Sequence, residues 1–284
     1  MQPGAAAEIR LLVPADIPAA MALKEAAGWN QTEADWQRLL WLEPNGCFGA
    51  IKDGRLVGTT TTTIYDELAW IGMVLVEPQQ RRQGIAAKLM NVALDYLGGK
   101  VETIKLDATR LGEPVYKRFG FAVESEVERW TGTAPVIRHH SQTMTVDDDA
   151  MRDLLRLDRL AFNADRSHLI EQLLNESFVS PALLKDADGT VAGYALARGG
   201  SRKSYVGPVV AKDLQVTETL LNEVLHRLRG REIYIDINKE CIADTTLLSD
   251  RGFVKERDLM RMVRGGPSKK TSPLVVAIAG PELG

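Results

Sequence analysis

The feature of this chain that most constrains its fold is a long internal repeat. Three short matches recur in the same order: Val57-Gly58 with Ala192-Gly193, Trp70-Ile71-Gly72 with Tyr205-Val206-Gly207, and Arg118-Phe119-Gly120-Phe121 with Asp250-Arg251-Gly252-Phe253. The matched glycines lie 135, 135 and 132 residues apart (193 − 58, 207 − 72 and 252 − 120). Solenoid repeats are only about 20 to 50 residues long. The spacing therefore predicts two copies of one domain.

Each copy has the hydrophobic pattern of a mixed α/β domain. In the first copy the predicted strands cover residues 9–13, 47–51, 56–64, 68–76, 101–107 and 121–130, and the predicted helices cover 15–27, 32–42, 84–97 and a short segment ending near residue 118. Asp53-Gly54 predicts a tight hairpin between the second and third strands, because both positions of such a turn favour a positive φ. The second copy repeats this order with strands at 178–185, 191–197 and 204–211, and a last strand is predicted at 274–279.

We therefore predict an α/β fold with a mixed sheet, built from two tandem domains. The predicted domains are residues 1–135 and 136–284, and the best candidate for a linker is residues 131–140.

Composition excludes several classes of protein. The 284 residues are 45% hydrophobic and 26% charged, and 35 Lys and Arg against 38 Asp and Glu leave a net charge of −3. We therefore expect no nucleic-acid partner and no membrane partner. The chain has no apolar run of about 18 residues and no secretion signal pattern, so we predict a cytoplasmic protein. Cys47 and Cys241 are far apart and lack ligand-like neighbours, which argues against disulfides and a metal site.

The segment with the most chemical information comes directly after the predicted strand 68–76. The strand ends before Pro78, a polar loop with Arg81 and Arg82 comes next, and a helix begins at Gly84 and Ala86. Backbone N–H groups at a helix N-terminus lack intrahelical partners, and the helix dipole adds positive potential, so such a loop suits a pyrophosphate. Taken alone, the segment could equally be a solvated strand-to-helix connection.

Two motifs resemble those of the GCN5-related N-acetyltransferase (GNAT) family. Val76-x-Pro78 followed by Arg81-x-x-Gly84-x-Ala86 is similar to the acyl-CoA pyrophosphate loop, and Tyr116-x-x-x-Gly120-Phe121 is similar to a later family motif. The resemblance extends over residues 8 to 130. Gly28-Trp29-Asn30, Lys105 to Thr109 and the segment Ala279 to Gly284 further resemble bacterial two-domain acetyltransferases of the YitH type.

The resemblance implies acetyl-CoA as the acyl donor and a role for each matching residue. Val74, Leu75 and Val76 would bind the pantetheine arm like an added strand, and Arg81, Arg82, Gln83, Gly84, Ile85 and Ala86 would bind the pyrophosphate. Tyr116 would be the general acid that protonates the CoA thiolate. Thr109 replaces an Asn that contacts the cofactor arm in many members. Trp29, Asn30 and Trp36 would line the acceptor site.

The general base is predicted less directly. Some family members carry Glu where this chain has Gly72, and glycine cannot accept a proton. Asp107, at the end of the next strand, is the leading alternative, acting directly or through water. Asp66 and Glu67, in the preceding turn, are further candidates.

The second copy is predicted to be degenerate. After Val209 to Ala211 it lacks the Arg/Gln-x-x-Gly-x-Ala loop, and Leu248 stands at the position of the tyrosine, four residues before Gly252. We therefore expect one acetyl-CoA site per chain, in the first domain, with the second domain shaping the acceptor pocket.

The predicted reaction is acetyl transfer from acetyl-CoA to a primary amine of a small molecule by direct attack, with strand amides holding the oxyanion. No Ser-His-Asp or Cys-His arrangement is evident, which agrees with direct attack. Two alternatives stay open: an acyl-CoA-binding sensor that contacts a protein partner, and an enzyme that acetylates proteins or peptides.

Overall fold

The computed structural model describes residues 6–136, 146–241, 246–266 and 272–284. Its strands are β1 (Glu8–Leu11), β2 (Phe48–Lys52), β3 (Arg55–Tyr65), β4 (Leu68–Val76), β5 (Thr103–Ala108), β6 (Ala122–Thr133), β7 (Ala182–Lys185), β8 (Val191–Arg198), β9 (Ser204–Ala211), β10 (Glu232–Asn238), β11 (Val254–Gly265) and β12 (Val275–Ala277). Its helices are α1 (Ile17–Ala26), α2 (Glu33–Leu42), α3 (Ile85–Leu97), α4 (Glu113–Arg118), α5 (Asp148–Phe162), α6 (Ser167–Glu176), α7 (Leu214–Arg227) and α8 (Thr246–Ser249).

The chain forms two compact units. The first runs up to Leu106 and includes Leu283, and the second comprises Asp107–Glu282 and Gly284. The strand β5 therefore begins in the first unit and ends in the second. This division by contacts is separate from the domain boundary at residue 135, which was predicted from the repeat and stays a prediction.

The first unit is built on the strand order β1-β2-β3-β4-β5. Neighbouring strands are antiparallel except β4 and β5, which are parallel. The helix α3 packs against β2, β3 and β4, while α1 and α2 pack against β3. Ile85 and Leu89 of α3 form a buried cluster with Phe48, Ala50 and Val57, so the start of α3 is anchored by apolar burial.

The second unit has the strand order β11-β6-β10-β12-β9-β8-β7. Here β6, which comes from the first copy of the repeat, lies between β11 and β10 and is antiparallel to both. The short strand β12 lies between β10 and β9. The core of this unit combines Leu220, Leu221 and Val224 of α7 with apolar side chains from the sheet.

The predicted α/β class and the repeated order of elements are confirmed. The series α1-α2-β2-β3-β4-α3-β5-α4-β6 recurs as α5-α6-β7-β8-β9-α7-β10-α8-β11. The Asp53-Gly54 turn is also confirmed, since φ is 50° at Asp53 and 73° at Gly54.

Three details of the prediction are wrong. The linker does not begin at Thr131, because β6 continues to Thr133; residues 137–140 of that linker lie outside the described part. The strand predicted from Phe178 begins only at Ala182. The last strand, predicted at Leu274 to Ala279 with an exposed apolar surface or edge, is an interior strand with strands on both sides.

Candidate active site

The second half of β4 has an edge that β5 does not cover. The parallel pairing of the two strands runs from Leu68 opposite Thr103 to Trp70 opposite Lys105, and within the described residues it ends there, although β4 continues to Val76. The other edge of β4 stays paired with β3 through Leu75 and Val76. Val74, Leu75 and Val76 therefore lie where the strand has one free backbone edge, which can hydrogen-bond an extended ligand.

The loop after β4 leads into α3 through a left-handed residue. Gly84 has φ 76° and is the N-cap of α3, a conformation that glycine adopts at little cost. The first helical hydrogen bond is donated by Lys88 N to Gly84 O at 3.0 Å, so the N–H groups of Ile85, Ala86 and Ala87 precede it. A Cβ at Gly84 would meet nothing within 4 Å, so the space in front of the helix is open.

The loop side chains add positive charge around this helix start. Arg81 and Arg82 are exposed, and Arg81 Nε donates to Val76 O at 3.2 Å. Lys52 Nζ donates to the amide oxygens of Gln80 at 2.8 Å and Gln83 at 2.9 Å, which ties the loop to β2. Exposed N–H groups, the helix dipole and basic side chains fit a pyrophosphate group.

Tyr116 lies on α4, in the second compact unit, and is half-buried. Its ring makes an edge contact with Phe121 at a centroid distance of 6.3 Å. Burial raises the pKa of Tyr116 to about 12, so the hydroxyl keeps its proton at neutral pH. Within the described residues the hydroxyl makes no protein hydrogen bond, which leaves its proton available to a ligand.

Thr109 and Gly112 form the turn that leads from β5 into α4. Gly112 N donates to Thr109 O at 2.9 Å and to Thr109 Oγ1 at 3.2 Å. A Cβ at Gly112 would lie 2.9 Å from Cε2 of Tyr116, so the absence of a side chain there lets the tyrosine ring pack on the turn. Thr109 thus stabilises the turn, and its predicted contact with a cofactor arm stays a prediction.

Asp107 forms a buried ion pair that the sequence interpretation did not include. Arg261 Nε donates to Oδ1 at 2.9 Å and Arg261 Nη2 to Oδ2 at 2.8 Å, and the side chains of Asp107 and Arg261 are 0% and 1% exposed. Burial opposes the charge on Arg261, but the Asp107 carboxylate outweighs it and the pKa of Arg261 is raised. An arginine in this position reduces the basicity of Asp107, because protonation of the carboxylate would break the pair. The role of Asp107 as general base stays a prediction.

The alternative base candidates lie at the wrong end of β4. Asp66 and Glu67 are residues of the β3–β4 turn, which precedes β4, whereas the loop and helix start come after its end at Val76. At about 3.3 Å per strand residue, Glu67 and Val76 are separated by about 30 Å.

The predicted acceptor residues are in the first compact unit. Trp29 is half-buried, Asn30 is buried and Trp36 is 1% exposed on α2. The indole Nε1 of Trp36 is buried and has no hydrogen-bond partner among the described residues. A buried donor without a partner is rare in proteins, and a ligand acceptor atom can satisfy it.

The corresponding positions in the second copy are built differently. The helix α7 is capped by Asp213, whose carboxylate accepts from Val216 N at 2.8 Å. The gap between β9 and β10 is filled by β12: Ala211 N donates to Leu274 O at 2.9 Å and Ile278 N to Asp236 O at 3.0 Å. At the position of Tyr116, Leu248 is 2% exposed and its carbonyl accepts from Phe253 N at 3.0 Å.

Arg261 is the residue that the sequence interpretation missed. The repeat contains a signal for it, because Arg129 and Arg261 are 132 residues apart (261 − 129), the same spacing as Gly120 and Gly252. An arginine kept at the same place in both copies is a candidate for a shared ion pair.

In the described residues, no helix is long and apolar enough to cross a membrane, and no group of three or more His, Cys, Asp or Glu side chains could hold a metal ion.

Comparison with known proteins gives the same family twice in this chain. Residues 19–121 match the acetyltransferase (GNAT) family, and residues 154–273 match an acetyltransferase (GNAT) domain. The uncharacterized N-acetyltransferase YitH of Bacillus subtilis is 25% identical over 235 residues, which cover 81% of this chain and 82% of that protein.

Solved structures show the same fold over the full length. The crystal structure of an acetyltransferase candidate from Pyrococcus horikoshii has a TM-score of 0.82 and 24% identity, and covers 98% of this chain and 96% of its own. A tandem GNAT protein from the clavulanic acid biosynthesis pathway has a TM-score of 0.62 and 16% identity, and covers 93% of this chain and 100% of its own.

Proposed function

Because the chain belongs to the GNAT family of acetyltransferases, with one GNAT domain in each half, we propose that it transfers an acetyl group from acetyl-CoA to a primary amine of a small molecule, at a single site in the first copy.

The contrast between the two helix starts carries this proposal. The start of α3 presents Gly84, the N–H groups of Ile85 and Ala86 and two exposed arginines, whereas the start of α7 is capped by the carboxylate of Asp213. A carboxylate at a helix N-terminus takes up the N–H groups that a phosphate would use and repels its charge. We therefore place acetyl-CoA at α3 and regard the second copy as degenerate.

The filled gap in the second copy supports the same assignment. In the first copy the edge of β4 from Val74 to Val76 is free to bind the pantetheine arm by backbone hydrogen bonds. In the second copy β12 pairs with both β9 and β10 and occupies the equivalent gap. A Cβ at Gly207 would lie 2.1 Å from Ile278 O, which indicates how closely this segment is packed there.

In the proposed mechanism each residue has a limited task. Acetyl-CoA supplies a thioester carbonyl that a neutral amine attacks directly. The β4 amides orient the donor, and the N–H groups from Arg81 to Ala86 hold its pyrophosphate. Tyr116 donates its proton to the departing sulfur, which its raised pKa allows at neutral pH. Asp107 is the proposed acceptor of the amine proton.

Trp29, Asn30 and Trp36 are the proposed acceptor residues. Burial of Asn30 and Trp36 favours an acceptor small enough to reach them over a folded protein segment. The unpartnered indole N–H of Trp36 would donate to a polar oxygen or nitrogen of the acceptor.

Two measurements test the proposal. A thiol-release assay with acetyl-CoA and a panel of polyamines, amino acids, aminoglycosides and peptides is expected to give turnover with one of the non-peptide amines. Titration calorimetry is expected to give one acetyl-CoA per chain. Binding without turnover on any amine would support a sensor, turnover on peptides alone would support a protein-modifying enzyme, and two sites per chain would contradict the assignment of the second copy.

A further inference from the structure

The turn that carries Tyr116 is short and stiff. Thr109 O accepts hydrogen bonds from Gly112 N at 2.9 Å and Glu113 N at 3.0 Å, and Gly112 O accepts from Tyr116 N at 3.1 Å. The ring of Tyr116 packs directly on Gly112. A displacement of this turn therefore displaces the tyrosine hydroxyl as well.

The strand β11, from the second copy of the repeat, binds the turn at two points. Arg261 holds Asp107 with two hydrogen bonds, just before the turn. Arg110 Nη2, inside the turn, donates to Oδ2 of Asp258 at 2.9 Å. Lys255 Nζ also donates to Asp258, at 3.1 Å, so its carboxylate is held from both sides. All these residues belong to the second compact unit.

The same ion pair recurs at the equivalent place in the repeat, with the copies exchanged. Arg129 Nε and Nη2 donate to Oδ1 and Oδ2 of Asp236 at 2.7 and 2.6 Å. Asp236 is equivalent to Asp107, since each comes two residues after the partner of a repeat-related aromatic residue: Lys105 opposite Trp70, and Tyr234 opposite Tyr205. Each copy thus supplies the arginine for the aspartate of the other.

The two ion pairs differ in the residue to which the chain leads after the aspartate. After Asp107 the chain leads to Tyr116, whereas after Asp236 it leads to Leu248, which has no proton to donate. The pair Arg129–Asp236 therefore has the same chemistry as Arg261–Asp107 and a similar burial, with side chains 6% and 0% exposed, but no tyrosine to position.

We propose that Arg261, together with Asp258, positions the turn of Tyr116, so that the second copy contributes positioning residues to the reaction of the first. Their effect passes through the geometry of Asp107 and Arg110 to the tyrosine hydroxyl. The inference rests on the proposed role of Tyr116 as proton donor.

The test compares Arg261→Lys with Arg129→Lys in the full-length protein. Lysine keeps the positive charge but cannot form the two parallel hydrogen bonds of the guanidinium. We expect Arg261→Lys to lower kcat about tenfold to a hundredfold, since a displacement of about 1 Å is enough for such a loss, and to change KM for acetyl-CoA less than about twofold. Arg129→Lys should lower the melting temperature similarly and leave kcat within about twofold.

A double-mutant cycle with Tyr116→Phe shows whether the effect passes through the tyrosine. We expect Arg261→Lys to have little further effect on kcat in the Tyr116→Phe background. Arg110→Ala, which alters an exposed side chain and should fold normally, is expected to lower kcat in the same non-additive way.

The outcomes separate the inference from the function on which it rests. Full activity of Tyr116→Phe would contradict the proposed proton donor itself. A reduced Tyr116→Phe variant together with a fully additive Arg261→Lys effect would overturn the positioning role alone. Equal loss of kcat in Arg261→Lys and Arg129→Lys would also overturn it, because the pair would then only stabilise the fold.

Discussion

Tyr116 combines a protonated hydroxyl with the absence of a hydrogen bond to the described part of the protein, which suits a general acid. We expect Tyr116→Phe to lower kcat by about 10²- to 10⁴-fold, since that is the usual contribution of a positioned proton donor. The affinity for acetyl-CoA should change little, because phenylalanine keeps the ring contact with Phe121. Steady-state kinetics and calorimetry on the same preparation measure the two effects.

The pH dependence of this variant provides a control. Burial raises the pKa of Tyr116 from 10.0 to about 12, so the folded protein retains a proton that the unfolded chain releases above about pH 10. The stabilisation linked to this group is thus present below pH 10 and is lost as the pH rises toward 12. Tyr116→Phe should lose less stability than the unmodified protein over this interval. An identical alkaline loss in both proteins would contradict the raised pKa.

Asp107 can be tested against its counterpart Asp236. Both carboxylates are buried and bound by two nitrogens of an arginine, so Asp107→Asn and Asp236→Asn should each lower the free energy of unfolding by about 3 kcal/mol. We expect only Asp107→Asn to lower kcat, by at least about tenfold. Chemical denaturation and steady-state kinetics measure both quantities. Equal kcat in the two variants would remove Asp107 from the candidates for the general base.

The helix α3 depends on Gly84 for the geometry of its first turn. Gly99, in the turn after the same helix, makes a matched control, because its φ is 73° against 76° for Gly84 and a Cβ at either position would have no neighbour within 4 Å. Gly84→Asp and Gly99→Asp should each cost about 1 kcal/mol of stability, from the left-handed backbone.

Only Gly84→Asp is expected to weaken acetyl-CoA binding, by more than about tenfold, because the new carboxylate faces the pyrophosphate as Asp213 does at the start of α7. Titration calorimetry with both variants measures the two affinities. Comparable affinity in the two proteins would place the pyrophosphate elsewhere.

The second copy is needed for the fold of the first-copy strand β6. Both edges of β6 pair with strands of the second copy, β10 on one side and β11 on the other. A fragment ending near residue 135 would expose both edges of a twelve-residue strand, an arrangement prone to aggregation. We expect such a fragment to be insoluble or unfolded, as judged by circular dichroism and gel filtration. A soluble, cooperatively unfolding fragment would contradict the requirement for these pairings.

Features encoded in short stretches of this chain were predicted well. The Asp53-Gly54 turn, the strand before Pro78 and the glycine at the start of α3 each depend on a few neighbouring residues whose backbone preferences act locally. The repeat predicted the order of elements for the same reason, since each copy has the hydrophobic pattern of the same elements. The family resemblance assigned roles to Tyr116 and to the loop residues, and those roles remain to be tested.

Features that depend on distant partners could not be predicted. Nothing in the pattern of β6 or β12 specifies which strands lie beside it, because an apolar strand can pair with many others and the choice depends on the packing of the whole unit. Asp107 and Arg261 are 154 residues apart, and the sequence showed a carboxylate at a strand end without the arginine that neutralises it. The charge environment of that carboxylate, and with it the chemistry that Asp107 can perform, is therefore a property of the folded chain.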